Sequence, residues 1–357
     1  MKPLKIAVLV SGGVDSSVAL ALLKEQGHEL VAFYLKIWLE DELAYLGSCP
    51  WEQDLEFVKG VCAKLDVPLR VISMQQNYHE RVVAYMLAEI KQGRTPNPDI
   101  LCNQQIKFGA FYESIDDSFD YVATGHYAQV EHLPTGSILK KGKDPVKDQT
   151  YFLTMLSQQQ LSRALFPIGS YEKYEVRQLA QKYDLPTQSR KDSQGICFLG
   201  KFDFSDFLKA HLGTKVGNIV EFESGKVLGQ HEGFWFYTIG QRQGLGLSGG
   251  PWYVVSKDTE KNIVFISKNY ADIATYKSGM IVNDFHWISS KASDKSELDV
   301  RFRHGPAVHR AIVVMSNDGS VKIELKQETK QGIATGQFAV LYDGDVCLGG
   351  GIIDQAF

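Results

Sequence analysis

The chain has 357 residues, 44% of them apolar, and a formal net charge of −4. Such a length implies two or three domains, and the absence of a run near the roughly 18 apolar residues of a membrane span, or of a cleavable leader, points to a soluble cytoplasmic protein. The charge excludes a uniformly basic nucleic-acid-binding surface, leaving only local patches, and five cysteines in an intracellular chain exclude a disulfide framework.

Leu4 to Val10 is a short apolar run rich in β-branched residues, and Val14, Val18, Ala19, Leu22 and Leu23 then recur at helical spacing. Between them lies Ser11-Gly12-Gly13-Val14-Asp15-Ser16-Ser17. The glycine pair permits a tight turn and close approach of an anion, toward which the helix directs its unpaired N–H groups. The turn has neither the Gly-Lys-Ser/Thr ending of a Walker A loop nor the GxGxxG spacing of a dinucleotide fold. It resembles the SGGxDS pyrophosphate loop of ATP pyrophosphatases, which activate a carbonyl oxygen as an adenylate.

Glu29 to Ile37 reads as a strand, Glu52 to Leu65 as a helix, Pro68 to Ser73 as a strand, Tyr78 to Lys91 as a helix and Asp120 to Ala123 as another buried strand. This alternation predicts an α/β domain with a doubly wound parallel sheet, its ligands beyond the carboxyl ends of the strands. Arg94 to Phe108, with two prolines, two asparagines and an aspartate, reads as an ordered loop. Within it Cys102 is either a nucleophile, its thiol acidified by a helix start and by Arg94 and Lys107, or a buried structural cysteine. In Ala123-Thr124-Gly125-His126-Tyr127-Ala128, the glycine suits close approach of a nucleotide, and His126 either meets a polyanion or caps the strand end. Lys143, Lys147, Asp148 and Gln149 fall on a polar loop that is either solvated surface or phosphate-facing.

Asp184 to Gly200 places Arg190 and Lys191 before a Ser-Gln-Gly turn and Cys197. Two cysteines 95 positions apart, each near basic residues, suggest a pair that meets in space; that separation excludes a CxxC zinc site. Beyond Lys201 the pattern changes. Phe202 to Leu212 reads as a short helix, Lys215 to Phe265 as short strands with hairpin turns, and Ala311 to Met315, Val321 to Leu325 and Gln337 to Tyr342 as strands of a C-terminal antiparallel β-barrel. The expected domains are 1–200, a small β-rich domain 201–276 and the barrel 277–357. Arg301, Arg303, His304, His309 and Arg310 form the densest basic cluster of the second half.

SGGVDSS, GRTPNPDILCN with IKF, ATGHYA, KDQTYFL, SRKDSQGICF, YTIGQRQGLG and YDGDVCLGGGII follow in one order from the first strand to the last residues. Together they resemble the tRNA-specific 2-thiouridylases, ATP-dependent sulfurtransferases of the ATP-pyrophosphatase (PP-loop) superfamily that thiolate the wobble uridine. The resemblance implies ATP contacts from Leu9, Val10, Ser11, Gly12, Gly13, Val14, Asp15, Ser16, Leu35 and Gly125. It implies Cys102 as nucleophile, Cys197 as persulfide carrier and Asp99 as acid/base beside the target uracil, with Asn97 and Pro98 completing that segment. His126, Lys147, Asp148, Gln149, Arg301, Phe302 and Gln337 would contact tRNA. An upstream sulfur carrier or cysteine desulfurase would supply the persulfide, and a reductant would reset the disulfide. Mg²⁺ is expected with ATP, with Asp15 a plausible ligand. The chain departs from the family at His304-Gly305-Pro306, where many relatives carry an aromatic residue and then Arg-Gln.

Two rival readings use the same residues. An amidotransferase would adenylate likewise but transfer ammonia; the paired cysteines and the lack of an evident glutaminase domain argue against it. A nucleotide-regulated RNA-binding protein would bind ATP and RNA without releasing pyrophosphate.

Overall fold

The structure is a computed structural model that describes residues 3–37, 51–192, 204–269, 277–289, 296–327, 329 and 331–357. Strand β1 (Lys5–Leu9) is followed by helix α1 (Val14–Glu25), β2 (Glu29–Lys36), α2 (Trp51–Leu65) and β3 (Leu69–Ser73). β4 (Tyr121–Ala123) and the two-residue β7 (Ala164–Leu165) complete a sheet in the order β3-β2-β1-β4-β7. Every pairing is parallel, with Ile6 opposite both Leu30 and Tyr121. The strand order reverses direction between β1 and β4, which opens a crevice beyond their carboxyl ends. Helix α1 buries nine of its residues, matching its nearly continuous apolar sequence. It packs on α2 and on α3 (Lys173–Lys182), a helix absent from the sequence expectation.

Helical residues run Gln75–Tyr78, His79–Val83 and Ala84–Lys91, the middle piece with π-helical bonding. The Arg94 to Phe108 segment corrects the loop reading. Pro98–Leu101 is helical and continues through the π-helical Cys102–Ala110. Asn97 caps the start, its Oδ1 accepting from Ile100 N, and Pro98 fills the first turn where its missing N–H costs no bond.

After α4 (Phe204–Leu212), the middle region forms a mixed four-stranded sheet in the order β10-β11-β8-β9, from β8 (Gly217–Glu221), β9 (Val227–His231), β10 (Tyr253–Asp258) and β11 (Ile263–Ser267). The last region contributes β12 (Gly279–Trp287), β13 (Ser296–Arg301), β14 (His309–Met315), β15 (Val321–Leu325), β16 (Phe338–Asp343) and β17 (Val346–Ala356). β12 pairs antiparallel with both β15 and β17, closing a six-stranded antiparallel barrel.

A hairpin from the first domain, β5 (Ala128–Leu133) and β6 (Gly136–Lys141), extends this barrel sheet by pairing Leu139 with Cys347 and Lys140 with Val346. One buried cluster joins Ile100 and Phe108 of the 98–110 helix to Leu139, Phe338, Val340 and Tyr342. The barrel therefore packs directly on the segment that carries Cys102.

Candidate active site

The residues between β1 and α1 form a cradle whose geometry depends on its glycines. Gly12 has φ +78°, and a Cβ there would lie 2.6 Å from the Asp54 carbonyl oxygen. Gly13 is the N-cap of α1 and supplies no side-chain cap; a Cβ there would meet only Ser11 Oγ, at 3.6 Å. The first turn thus presents backbone N–H groups without a side-chain acceptor, a fit for an anion such as the phosphates of ATP. Inside the turn, Ser11 N donates to Ser16 Oγ at 3.2 Å and Ser17 Oγ donates to Gly13 O at 2.8 Å. Leu9, Val10 and Val14 are buried, so only their backbone atoms can border a nucleotide; Leu35 is half-buried near the end of β2.

Gly125, expected to border a nucleotide, packs its backbone against the cradle itself. A Cβ there would lie 2.6 Å from Ser16 N, so the close approach is that of the β4 loop to the first turn of α1. Next to it His126 is buried and shares a 2.7 Å hydrogen bond with Thr124 Oγ1. Burial, followed by the Lys107 charge, holds its pKa well below the usual histidine value. In this structure His126 is tied to the strand end through Thr124.

Asp15 is already engaged. Its Oδ1 accepts from Tyr127 Oη at 2.8 Å, and Lys173 Nζ binds Oδ1 and Oδ2 at 2.8 and 2.9 Å. A divalent cation on Asp15 would share the carboxylate with that ammonium, and among the described residues no group of three His, Cys, Asp or Glu is placed to hold a metal. The same Lys173 reaches Asp192 Oδ1 at 2.9 Å, while Lys147 Nζ reaches Asp192 Oδ2 at 2.8 Å. Arg177 Nη2 completes the set at 2.6 Å from Asp192 Oδ1. Burial acts to raise the Asp192 carboxyl, but hydrogen bonds from Lys147 and Lys173 outweigh it and hold the group well below the carboxylate range. Lys173, Tyr127 and Asp192 were not singled out from sequence, because their partners are distant in the chain: Lys173 lies 158 positions from Asp15 and Tyr127 lies 112.

Arg190 joins this centre from the other side. Its guanidinium donates to Gly12 O at 2.6 Å and to Asp54 Oδ1 at 2.7 Å, and lies 4.3 Å from the Phe57 ring centroid. Residues 190 and 192 therefore anchor the chain to the cradle just before Cys197, which lies outside the described residues, as does Cys49.

Cys102 is buried at the start of its π-helix, in a cluster with Leu9 and Phe33 against which Leu35 and Phe204 pack. Asp99 is half-buried one turn earlier. The thiols of Cys62 and Cys347 are also buried, which pushes them up to about 11 and about 12, the signature of inert structural cysteines.

The barrel fixes the chain that leads into Asn97. Thr95 N donates to Thr335 O at 2.8 Å, and Gln337 Nε2 donates to Thr95 O at 2.9 Å. Arg94 binds Glu89 at 2.8 Å, Asp354 at 3.1 Å and Ile353 O at 3.3 Å. Gln337 thus serves as a strut for the 94–97 segment.

Several residues expected at the RNA are engaged within the protein. Arg301 forms a buried ion pair with Asp148, whose carboxylate also accepts from Gly142 N and Thr150 Oγ1. Phe302 is 1% exposed and stacks on His309 at 4.8 Å, and Arg310 pairs with Glu297 and Asp299. Of the expected basic cluster, Arg301 is an internal link and Arg310 is held in exposed ion pairs. Lys147, Gln149, Arg303 and His304 keep accessible surface.

A family model described as a tRNA methyl transferase HUP domain matches residues 4–201. Models described as a tRNA methyl transferase PRC-barrel domain and an aminomethyltransferase beta-barrel domain match 205–268 and 277–353. The tRNA-specific 2-thiouridylase MnmA 1 of Bacteroides thetaiotaomicron is 45% identical over 99% of this chain and 100% of its own length. Relatives of the same name from Porphyromonas gingivalis and Halalkalibacterium halodurans are each 44% identical over 98% of this chain and 99% and 95% of theirs. Among solved structures, an NMN synthetase from Francisella tularensis aligns with 57% of this chain and 71% of its own at 17% identity and a TM-score of 0.35. The full-length identities, on a fold that carries the glycine cradle at its strand-order switch and a closed barrel behind it, establish that this chain is an enzyme belonging to the tRNA-specific 2-thiouridylase family.

Proposed function

We propose that this protein carries out ATP-dependent 2-thiolation of the wobble uridine of tRNA, with the α/β region 1–200 activating the base, 201–276 as a spacer domain and 277–357 as the tRNA-facing barrel. The uracil O2 attacks the α-phosphate of ATP, forming an O–P bond and releasing pyrophosphate into the amides of Ser11 to Ser17. The terminal sulfur of a Cys197 persulfide then bonds to C2, and AMP departs with the original oxygen. Cys102, as thiolate, attacks the Cys197 sulfur, so that the S–S bond to the new 2-thiouridine breaks and its electron pair stays on the product. If Cys102 acts first and releases hydrosulfide to attack C2, the balance is the same. Either order ends in a Cys102–Cys197 disulfide, which a two-electron cytoplasmic reductant resets. The persulfide comes from a sulfur-carrier protein or a cysteine desulfurase.

One observation carries this reading. The chain bearing Cys197 is tied at Asp192 to the network on Asp15, and it resumes at Phe204, which packs on the cluster containing Cys102. The described residues on either side of Cys197 thus join the network on Asp15 and the cluster that holds Cys102. Asn97, Pro98 and Asp99 open the helix that carries Cys102 and are proposed to meet the extruded base, with Asp99 as acid/base. Extrusion is cheaper from an anticodon loop than from a duplex. Lys147 and Gln149 are proposed to touch RNA directly; Asp148, Arg301, Phe302, His126 and Gln337 support the surface from beneath. Mg²⁺ is assigned to the phosphates of ATP, since Asp15 already pairs with Lys173.

The test incubates the protein with ATP, tRNA and a persulfide donor and follows pyrophosphate and labelled sulfur in RNA. Sulfur in the wobble uridine, lost in both Cys102→Ser and Cys197→Ser while pyrophosphate release persists, supports the reading. Normal thiolation by either variant overturns the two-thiol chemistry, and RNA binding without pyrophosphate overturns adenylation.

A further inference from the structure

The His304-Gly305-Pro306 corner lies against Tyr151 and Phe152 through the His304 ring. The exposed His304 ring sits 4.5 Å from the half-buried Phe152 ring with the planes 35° apart, and 6.4 Å from the buried ring of Tyr151. This small aromatic group is held in register with the helix that carries Cys102 at two points. Asn103, the residue after Cys102, donates from Nδ2 to Phe152 O at 3.1 Å. The Asn97 side chain hydrogen-bonds Tyr151, whose hydroxyl also donates to Phe338 O at 3.2 Å. Asp99 lies close enough for its charge to act on His304, as do Arg301, Asp148 and Lys147. Arg303 lies close enough to act on Tyr151, placing a cation at the rim.

We propose that His304 and Phe152 form a stacking platform for an unpaired nucleobase of the RNA, adjacent to the base that meets Asn97 to Asp99. The inference rests on the functional reading above and adds a subsite to it. An exposed ring over a second ring offers a flat π-face to any base, and Arg303 offers its charge to the neighbouring phosphate. Burial and then the Arg301 charge lower the His304 pKa, so the ring is neutral near pH 7 and stacks without a desolvated charge. A base extruded from a loop leaves its neighbour without a stacking partner. A platform beside the Asn97 segment would replace that partner and hold the loop open. The pattern calls for an aromatic side chain at 304 and does not require histidine in particular.

The experiment uses the full chain and an anticodon stem-loop RNA with 2-aminopurine placed next to the target uridine. Stacking on the platform shifts and quenches its fluorescence on binding. His304→Ala is expected to abolish that quenching and to weaken RNA binding about tenfold, while His304→Tyr restores both. Thermal melting checks that the exposed substitution leaves the fold intact, and Phe152→Leu provides a second variant with the same expected loss. If His304→Ala binds RNA as tightly as the parent with unchanged quenching, the platform does not exist. If neither protein binds the RNA, the functional reading falls and takes this inference with it.

Discussion

Arg190 Nη1 donates to the Gly12 carbonyl oxygen at 2.6 Å, while its Nη2 holds Asp54 at 2.7 Å. The guanidinium is thus the clamp that sets the peptide plane at the tightest point of the cradle, where Gly12 has φ +78°. A hydrogen bond from a charged donor contributes about 1.5–3 kcal/mol. Arg190→Ala should lower ATP affinity about tenfold by calorimetry, and Arg190→Lys should recover little of it, since one ammonium cannot span both acceptors.

Gly125→Ala should damage the same cradle from the other strand. The added methyl would lie 2.6 Å from Ser16 N and 2.8 Å from Asp15 C, both backbone atoms that cannot swing aside. Separating the β4 loop from α1 should cost about 1–3 kcal/mol of stability in urea unfolding. ATP binding should fall as well, because the displaced turn is the one proposed to hold the phosphates.

These two sites show what was legible in the chain. The glycine pair, the strand before it and the apolar α1 agreed locally, so the cradle and the parallel sheet could be read directly. Arg190 could be noticed as basic, but its partner is a backbone carbonyl 178 positions away. The β5–β6 hairpin escaped for a related reason: its neighbour is β17, more than 200 residues downstream. Short polar strands carry a weak signal when the sheet that completes them is so distant. Arg301 and Phe302 were expected at the tRNA, but in the structure Asp148 draws the arginine inward and His309 covers the phenylalanine, partners that sequence spacing does not announce.

Asp192 makes the site acid-sensitive. Its folded pKa is depressed by Lys147 and Lys173 below that of an unfolded carboxylate near pH 4, so it stabilises the fold fully above that value. The contribution is lost as pH falls through the folded pKa, when both states carry the proton. Asp192→Asn should therefore lower stability at pH 7, and the gap from the parent should narrow steadily below pH 4. Chemical denaturation at pH 7, 4 and 3 checks the sign; a gap that widened on acidification would contradict it.

The Asp148–Arg301 pair gives a further thermodynamic test. The two side chains are 1% and 5% exposed, so Arg301→Met leaves a buried carboxylate without its counter-charge. Breaking such a pair from one side costs about 3–5 kcal/mol. Adding Asp148→Asn removes the stranded charge but keeps an oxygen for Gly142 N and Thr150 Oγ1. The double variant should consequently be more stable than Arg301→Met alone, a coupling that a double-mutant cycle in urea would read directly.

Arg94 tests whether the barrel governs catalysis through the 94–97 segment. It links Glu89 in the preceding helix to Asp354 and Ile353 O in β17, next to the bonds in which Thr95 N donates to Thr335 O and Thr95 O accepts from Gln337. Asn97 then caps the helix that carries Asp99 and Cys102, so a small rotation at Arg94 is transmitted to both. None of these contacts touches the cradle. Arg94→Ala should therefore leave the ATP dissociation constant unchanged but reduce kcat for thiolation about tenfold or more, since displacement of reacting groups by even 1 Å is costly. Asp354→Asn should show a milder version of the same split, because the Glu89 and Ile353 bonds remain. Equal losses in ATP affinity and kcat would mean that Arg94 supports the fold as a whole and not the placement of the helix that carries Cys102.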